Sequence, residues 1–369
     1  MLFTPTRDAG LERLNQFLPR AGRAYANNRN HDAGPPQDGG ARSNVSQLSP
    51  WLHAGLLSET EVVSATLSQH SPSAAEKFIA EVFWRVYFKG YLEQRPSVWA
   101  QYCEDRDAAL ARLDNNSGLR TAYAEATEGR TGIEAFDVWA RELVETGYLH
   151  NHARMWFASI WIFTLKLDWE LGADFFLRHL VDGDAASNTL SWRWVGGLHT
   201  KGKTYLARPD NIARYTANHP DGPLAAEGLA GDAPALEEPV EHTRRKLDLP
   251  APLRADALDA PYALVLHDEA ASHEPLDLPS PPALIIGAAR SAQRSPIEVG
   301  EKAAAFAGDA VQSGVAKAAQ AFDVPTATWS SDAALAPLLE DAGLTQVAVP
   351  YLPTGWTHDA LWPELAPMV

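Results

Sequence analysis

Residues 73–95, SAAEKFIAEVFWRVYFKGYLEQR, decide the fold class of the longer part of this chain. Apolar residues recur at helical spacing for six turns, with neither proline nor a strand-like alternation to interrupt them. Working outward, Ser58 precedes a second helical run, ETEVVSATL, and residues 133–149 and 151–180 give two more. Toward the N-terminus, residues 5–26 read as a helix that Thr6 can cap, with Leu11, Leu14, Phe17 and Leu18 as its apolar stripe. Residues 27–45, NNRNHDAGPPQDGGARSNV, are turn-rich and read as a long loop. From Leu48 to about Tyr215 the pattern is therefore almost wholly helical.

Beyond Tyr215 the character of the chain changes. Residues 217–258 are rich in Pro, Gly, Ala and Glu and read as a linker. ALVLHDE (263–269) and ALIIGA (283–288) are short apolar runs bounded by turn residues, which suits buried strands. An alanine-rich helix, a TATW strand, a helix ending at Gly343 and a TQVAVPYL strand follow. Strands alternating with helices predict a small, parallel, Rossmann-like α/β domain. The expected organisation is mainly α: a helical domain over 1–216, a linker over 217–258 and an α/β domain over 259–369.

Composition excludes several classes. With 369 residues the chain suits two domains, and 46% hydrophobic against 21% charged residues is ordinary for a globular protein. No run approaches the roughly 20 apolar residues of a membrane helix, and MLFTPTRDAGLERL lacks a signal core. The single cysteine, Cys103, excludes an intramolecular disulfide and a CxxC zinc site. A cytoplasmic location is the expectation. The net charge of −16 is uneven, with −6 over residues 1–250 and −10 over 251–369. The acidic C-terminal third is a poor surface for nucleic acid, which is bound by neutralising phosphates.

Four short constellations could carry chemistry. Glu81, Trp84 and Arg85 share one helix face. In GYLHNHARM (147–155), Asn151, Arg154 and Met155 are spaced the same way, whereas His150 and His152 cannot share a helix face to bind a metal. In DGDAASNTLSWRW (182–194), the two acids could bind a divalent cation, cap a helix, or accept from a ribose or an arginine. No calcium loop of EF-hand type follows them. NVSQLSPWL (44–52) offers serine hydroxyls ahead of a helix start, where phosphate can sit. Read singly, each also fits a plain solvated face, a core tryptophan or a helix cap.

In their order, SxLSP, ExxWR, TGYxHNxxRM and DGDxAxN with WxW, the four blocks resemble the FAD-binding domain of the photolyase/cryptochrome family. The resemblance covers about residues 25–215 and implies an all-helical domain holding FAD in a U shape. By that resemblance Tyr25, Ser46, Gln47, Leu48 and Ser49 would approach the pyrophosphate, with Val45 standing where a threonine is usual. Arg85 and Arg154 would lie beside the flavin, Arg154 pairing with Asp182. Asp184 would sit near N3 of the ring and Asn188 would face N5, where an amide can donate or accept.

The family's repair enzymes flip a cyclobutane pyrimidine dimer out of DNA into a pocket above the adenine. Glu81, Trp84, Asn151, Met155 and Trp194 match that pocket, with Trp84 and Trp194 stacking on the two bases and Glu81 hydrogen-bonding them. Asn151, Arg154, Asp182 and the rest thus imply blue-light dimer repair by a deoxyribodipyrimidine photolyase. The alternative is a cryptochrome-like photoreceptor that signals to a protein partner through the C-terminal domain. Trp192 and Trp169 resemble the first two members of an electron chain, and Asn116 stands where the distal tryptophan would be; Trp99, Trp139, Trp156 or Trp161 could substitute. His152 replaces an arginine expected to contact phosphate, and Phe78 a tryptophan seen in part of the family. The α/β segment follows the flavin domain instead of preceding it. It carries neither GxGxxG nor a Walker loop, and no antenna pigment can be assigned to it. No metal is expected.

Overall fold

A computed structural model describes residues 2–36, 38–250 and 261–368. Its helices begin where the capping residues place them. Helix α1 (Arg7–Phe17) is capped by Thr6, whose hydroxyl accepts from the Ala9 N–H. The helix expected over 5–26 does not run through. Pro19 has no N–H to donate, so the chain tightens into a 3-10 turn at Leu18–Arg20 and restarts as α2 (Arg23–Asn28). Short α3 (Ser49–His53) leads to α4 (Glu59–Gln69), which opens on a complete capping box between Ser58 and Glu61. Helix α5 (Pro72–Gln94) starts two residues earlier than its apolar spacing suggests. Ser71 is its cap, and Pro72 occupies the first helical position, where a missing N–H costs nothing.

Helices α6 (Ser97–Asn115), α7 (Ser117–Thr127) and α8 (Glu134–Thr146) follow, α8 stopping at Gly147 with φ 72°. The single helix expected over 151–180 is two helices, α9 (Asn151–Ser159) and α10 (Trp169–His179). Between them lie a π turn at Ile160–Thr164 and Lys166 in a left-handed conformation, φ 57°. Helices α11 (Ala185–Val195) and α12 (Pro209–Tyr215) complete the set. Their core is aromatic: Trp139, Trp156, Trp161 and Trp192 are all buried, with Phe136 stacked on Phe157 at 4.1 Å.

The C-terminal part holds a four-stranded parallel sheet, β1 (Tyr262–His267), β2 (Leu284–Ala288), β3 (Thr326–Thr328) and β4 (Gln346–Ala348), in the order β3-β2-β1-β4. All residues of β1 and β2 are buried, as continuous apolar runs require. Helices α13 (Glu301–Phe322) and α14 (Leu335–Asp341) were expected; α15 (Trp356–Leu365) was not, since Pro363 lies inside it.

Two features depart from a loosely tethered pair of domains. Residues 217–250 contain neither helix nor strand, yet they are laid onto the helical core. Leu224 and Ala226 are buried there, and Arg193 forms a bidentate pair with Glu238 at 2.5 and 2.7 Å. The α/β part is also docked. Phe306, Ala310 and Val311 of α13 share one apolar cluster with Leu14, Leu56 and Val62. The Ala271 N–H donates to the Ala54 carbonyl at 2.8 Å.

Candidate functional site

The site grows from the turn between α10 and α11. Asp184 caps α11, one carboxylate oxygen accepting from the Ser187 N–H at 2.7 Å. Its other oxygen lies 2.7 Å from Lys89 Nζ, 3.1 Å from Arg85 Nη1 and 3.7 Å from His53 Nδ1. Arg85 and Lys89 are one turn apart on α5, so the helix period alone aims both at the same carboxylate. Burial works to raise the Asp184 carboxyl, and Lys89 and Arg85 outweigh it, holding it well below the usual range.

Asp182 pairs with Arg154 Nη2 at 3.0 Å, and Arg154 Nε also donates to the Leu149 carbonyl. Burial again opposes ionisation, and Arg154 with the Ser49 hydroxyl holds the Asp182 carboxyl down. The SxLSP segment and the DGD turn thus meet, although 133 residues of chain separate Ser49 from Asp182. Asn188 donates through Nδ2 to the Ala173 carbonyl at 2.8 Å, leaving its oxygen as the other end. Trp192 is buried against Gly172, where a Cβ would lie 2.3 Å from the indole.

The loop over 29–48 is held by two arginines that sequence reading missed. Arg13 donates to the Arg42, Val45 and Ser46 carbonyls at 2.6–2.8 Å. Arg42 is buried between Asp32 and Glu142. Gln47 takes a left-handed φ of 53° and accepts from the Arg42 N–H. Leu48 and Tyr25 are core residues here, Tyr25 lying against Phe17 and Phe78.

The remaining candidates lie on the outer side. Trp84 is half exposed, Trp194 is 36% exposed and stacks on Tyr205 at 5.8 Å, Asn151 is exposed and Met155 half-buried. Glu81 is ion-paired with Arg29, a third arginine without a sequence signal. His152 is engaged by the Asn30 carbonyl and the Tyr205 hydroxyl, so it is not a free surface donor. Trp169 continues through Tyr102 at 5.7 Å to Trp99 at 5.3 Å, whereas Trp161 lies edge-on to Trp192 at 6.2 Å. Asn116 is a helix cap, accepting from the Leu119 N–H.

The α/β part reaches this site directly. Glu269, just past β1, accepts from Lys89 at 2.6 Å, so Lys89 bridges it to Asp184. Arg294 is buried, donates to the Leu180 carbonyl at 2.9 Å and lies over the Trp356 ring. Trp356 Nε1 donates to the Gly183 carbonyl at 3.3 Å. His53, Asp184 and Glu269 are close enough to share a metal ion, as are Asp32, Glu142 and His219. In both groups a protein cation, Lys89 or Arg42, already lies between the carboxylates.

Asp268, at the same strand end, is buried and accepts from the Arg290 N–H at 2.6 Å. Burial pushes its carboxyl up to about 6. The unfolded group ionises near 3.8, so the cost of its charge appears as pH rises from there through 6 and stays above it. Asp268→Asn should therefore raise stability by on the order of 2–3 kcal/mol at pH 8 and by close to nothing at pH 4. Urea unfolding at the two pH values reads the difference; an equal effect at both would contradict it.

The site suits a flavin. Asp182 Oδ1, in the DGD turn, is buried without a partner among the described residues, an acceptor of the kind that a ring N–H satisfies. Residues 78–222 match the family model described as the FAD binding domain of DNA photolyase. The deoxyribodipyrimidine photo-lyase of Streptomyces griseus is 32% identical over 229 residues, which cover 56% of this chain and 48% of that protein. That of Agrobacterium fabrum is 33% identical over 199 residues, 53% and 39% of the two chains. The crystal structure of a class III photolyase from Agrobacterium tumefaciens is 30% identical over 58% of this chain and 45% of its own, with a TM-score of 0.48. The chain spans about half the length or less of these curated relatives. Residues 78–222 of the helical part are thus similar to the FAD-binding domain of DNA photolyases, and FAD is the cofactor that this match supports.

Proposed function

We propose that this chain is a light-driven lyase that splits cyclobutane pyrimidine dimers in DNA. The observation that carries the reading is the position of Trp84. It is a half-exposed indole on α5, next to Arg85, which reaches inward to Asp184. One helix thus presents a stacking face to solvent and a guanidinium to the flavin cradle. Bound and reduced, FAD supplies the light-driven electron that opens the cyclobutane ring and is then returned.

The chain's own residues do the rest. Trp84 and Trp194 stack on the two bases of the flipped dimer. Glu81, oriented by Arg29, accepts from their N–H groups. Ser46, Gln47, Leu48, Ser49 and Tyr25 would hold the cofactor's phosphates, and Arg154 and Arg85, held by Asp182 and Asp184, would bind its ring. Trp192 and Trp169 supply the reducing route. The relatives named photo-lyases support this reading.

The test is illumination of the FAD-loaded, reduced protein with an oligonucleotide carrying one thymine dimer. Thymine absorbance should return in blue light and not in the dark. Trp84→Ala should keep its flavin and bind the dimer about 5- to 150-fold more weakly, since stacking is worth roughly 1–3 kcal/mol per base. A second reading, a photoreceptor signalling through the C-terminal part, is favoured by one contact: Lys89 joins Glu269 of that part to Asp184. Light-dependent partner binding with no thymine recovery would select it.

A further inference from the structure

On the outer face of α5 the aromatic surface does not stop at Trp84. Tyr87 lies 5.3 Å from it, Phe88 5.7 Å, and Tyr91 lies 6.1 Å from Tyr87. Positions 84, 87 and 91 share one helix face, so the rings form a row along the axis. His199, from the turn after α11, closes the side of this row at 4.6 Å from Tyr91, and Arg95 lies over Tyr91 at 4.3 Å. Trp84 and Tyr87 are 50% and 46% exposed, too much apolar ring for an ordinary solvated helix. Gly90 adds an open slot beside Tyr91, where a Cβ would meet nothing within 4 Å, at a cost in helix stability.

The edge of the row is basic in a chain that is acidic overall. Lys201 and Lys203 are exposed in the same tight turn as His199. Neither they nor Arg95 makes an ion pair among the described residues. Exposed rings flanked by unpaired cations suit a single-stranded nucleic acid, whose bases offer free faces and whose phosphates need cations. A duplex keeps its base faces stacked. A second copy of this chain would bring the same cations face to face.

We propose that the Trp84–Tyr91 face of α5, with the Lys201–Lys203 turn, is a binding platform for single-stranded DNA. It leads into the dimer pocket and rests on the repair reading only for its choice of DNA. Unpaired bases beside the lesion stack on the exposed Tyr87 ring, while Lys201 and Lys203 take the phosphates and Arg95, over Tyr91, closes the end of the row. The platform makes a lesion in a single strand the preferred substrate.

The test uses the full chain loaded with FAD, in the dark, and a labelled short oligothymidine without any dimer. Fluorescence anisotropy should show tighter binding to the single strand than to a duplex of equal length. Tyr87→Ala should weaken it about 5- to 100-fold with flavin absorbance unchanged. Tyr87→Leu, which keeps apolar bulk without a ring, should do the same and guards against a misfolded alanine variant. Lys201→Gln with Lys203→Gln should flatten the salt dependence. Equal binding by wild type and both Tyr87 variants, a preference for duplex, or concentration-dependent dimerisation lost in Tyr87→Leu would overturn the proposal. A protein that repairs duplex dimers without binding the oligothymidine overturns this platform alone. One that binds it through Tyr87 but repairs nothing keeps the platform and overturns the repair reading.

Discussion

Asp184→Ala should yield a protein that purifies nearly free of flavin and unfolds at lower urea. The carboxylate caps α11, worth about 1 kcal/mol, and faces Arg85 and Lys89. Removing it takes one of two carboxylates from each cation, leaving Arg85 to Glu59 and Lys89 to Glu269, and breaking a buried pair costs about 3–5 kcal/mol. Arg85 and Lys89 keep some contact with water, which favours the lower end of that range. Asp184→Asn separates the two effects, because an amide still caps the helix but carries no charge. It should recover the cap's share of stability and remain poor in flavin. The ratio of flavin to protein absorbance checks this, and full occupancy in Asp184→Ala would sink it.

Gly314→Ala tests the docking of the α/β part. A Cβ at this position would lie 1.5 Å from the Ala271 carbonyl oxygen and 2.7 Å from its carbon. Both are backbone atoms, so no side-chain rotation relieves the overlap and α13 must move away. Overpacking costs typically 1–3 kcal/mol, and this one should reach or exceed about 3. Ala271 also carries the hydrogen bond to Ala54, so the helical part should feel the shift. Gly308→Ala is the control on the same helix: a Cβ there meets nothing within 4 Å, and the change should stabilise α13 by up to about 1 kcal/mol. Thermal melts of the three proteins, with flavin content, read the comparison. Matching melts for the two variants would show that α13 is not held against Ala271.

The contact between Lys89, Glu269 and Asp184 makes the α/β part more than an appendage. Arg294 and Trp356 grip the Leu180 and Gly183 carbonyls, so the turn bearing Asp182 and Asp184 is held from the C-terminal side.

Local rules carried much of the fold into the sequence. Thr6 and Ser58 mark helix starts because a side-chain oxygen within three residues satisfies an orphan N–H. ALVLH and LIIGA read as strands because a strand buried on both faces must be apolar throughout. The order of the four motifs carried the resemblance to the flavin family, whereas their spacing suggested one shared face for Trp84 and Arg85, and the structure turns Trp84 outward and Arg85 inward. Other local features were hidden. The π turn at Ile160–Thr164 leaves the apolar pattern intact, and α15 contains a proline that argues against it. What only the tertiary structure decided is who shares a charge with whom. Arg29 meets Glu81 across 52 residues, Arg85 meets Asp184 across 99, and Lys89 meets Glu269 across 180. No periodicity encodes such pairs, because a helix or strand fixes neighbours only within a few residues. A buried charge takes whichever partner the packing of distant segments brings within reach, since leaving it unpaired costs more than any local preference supplies.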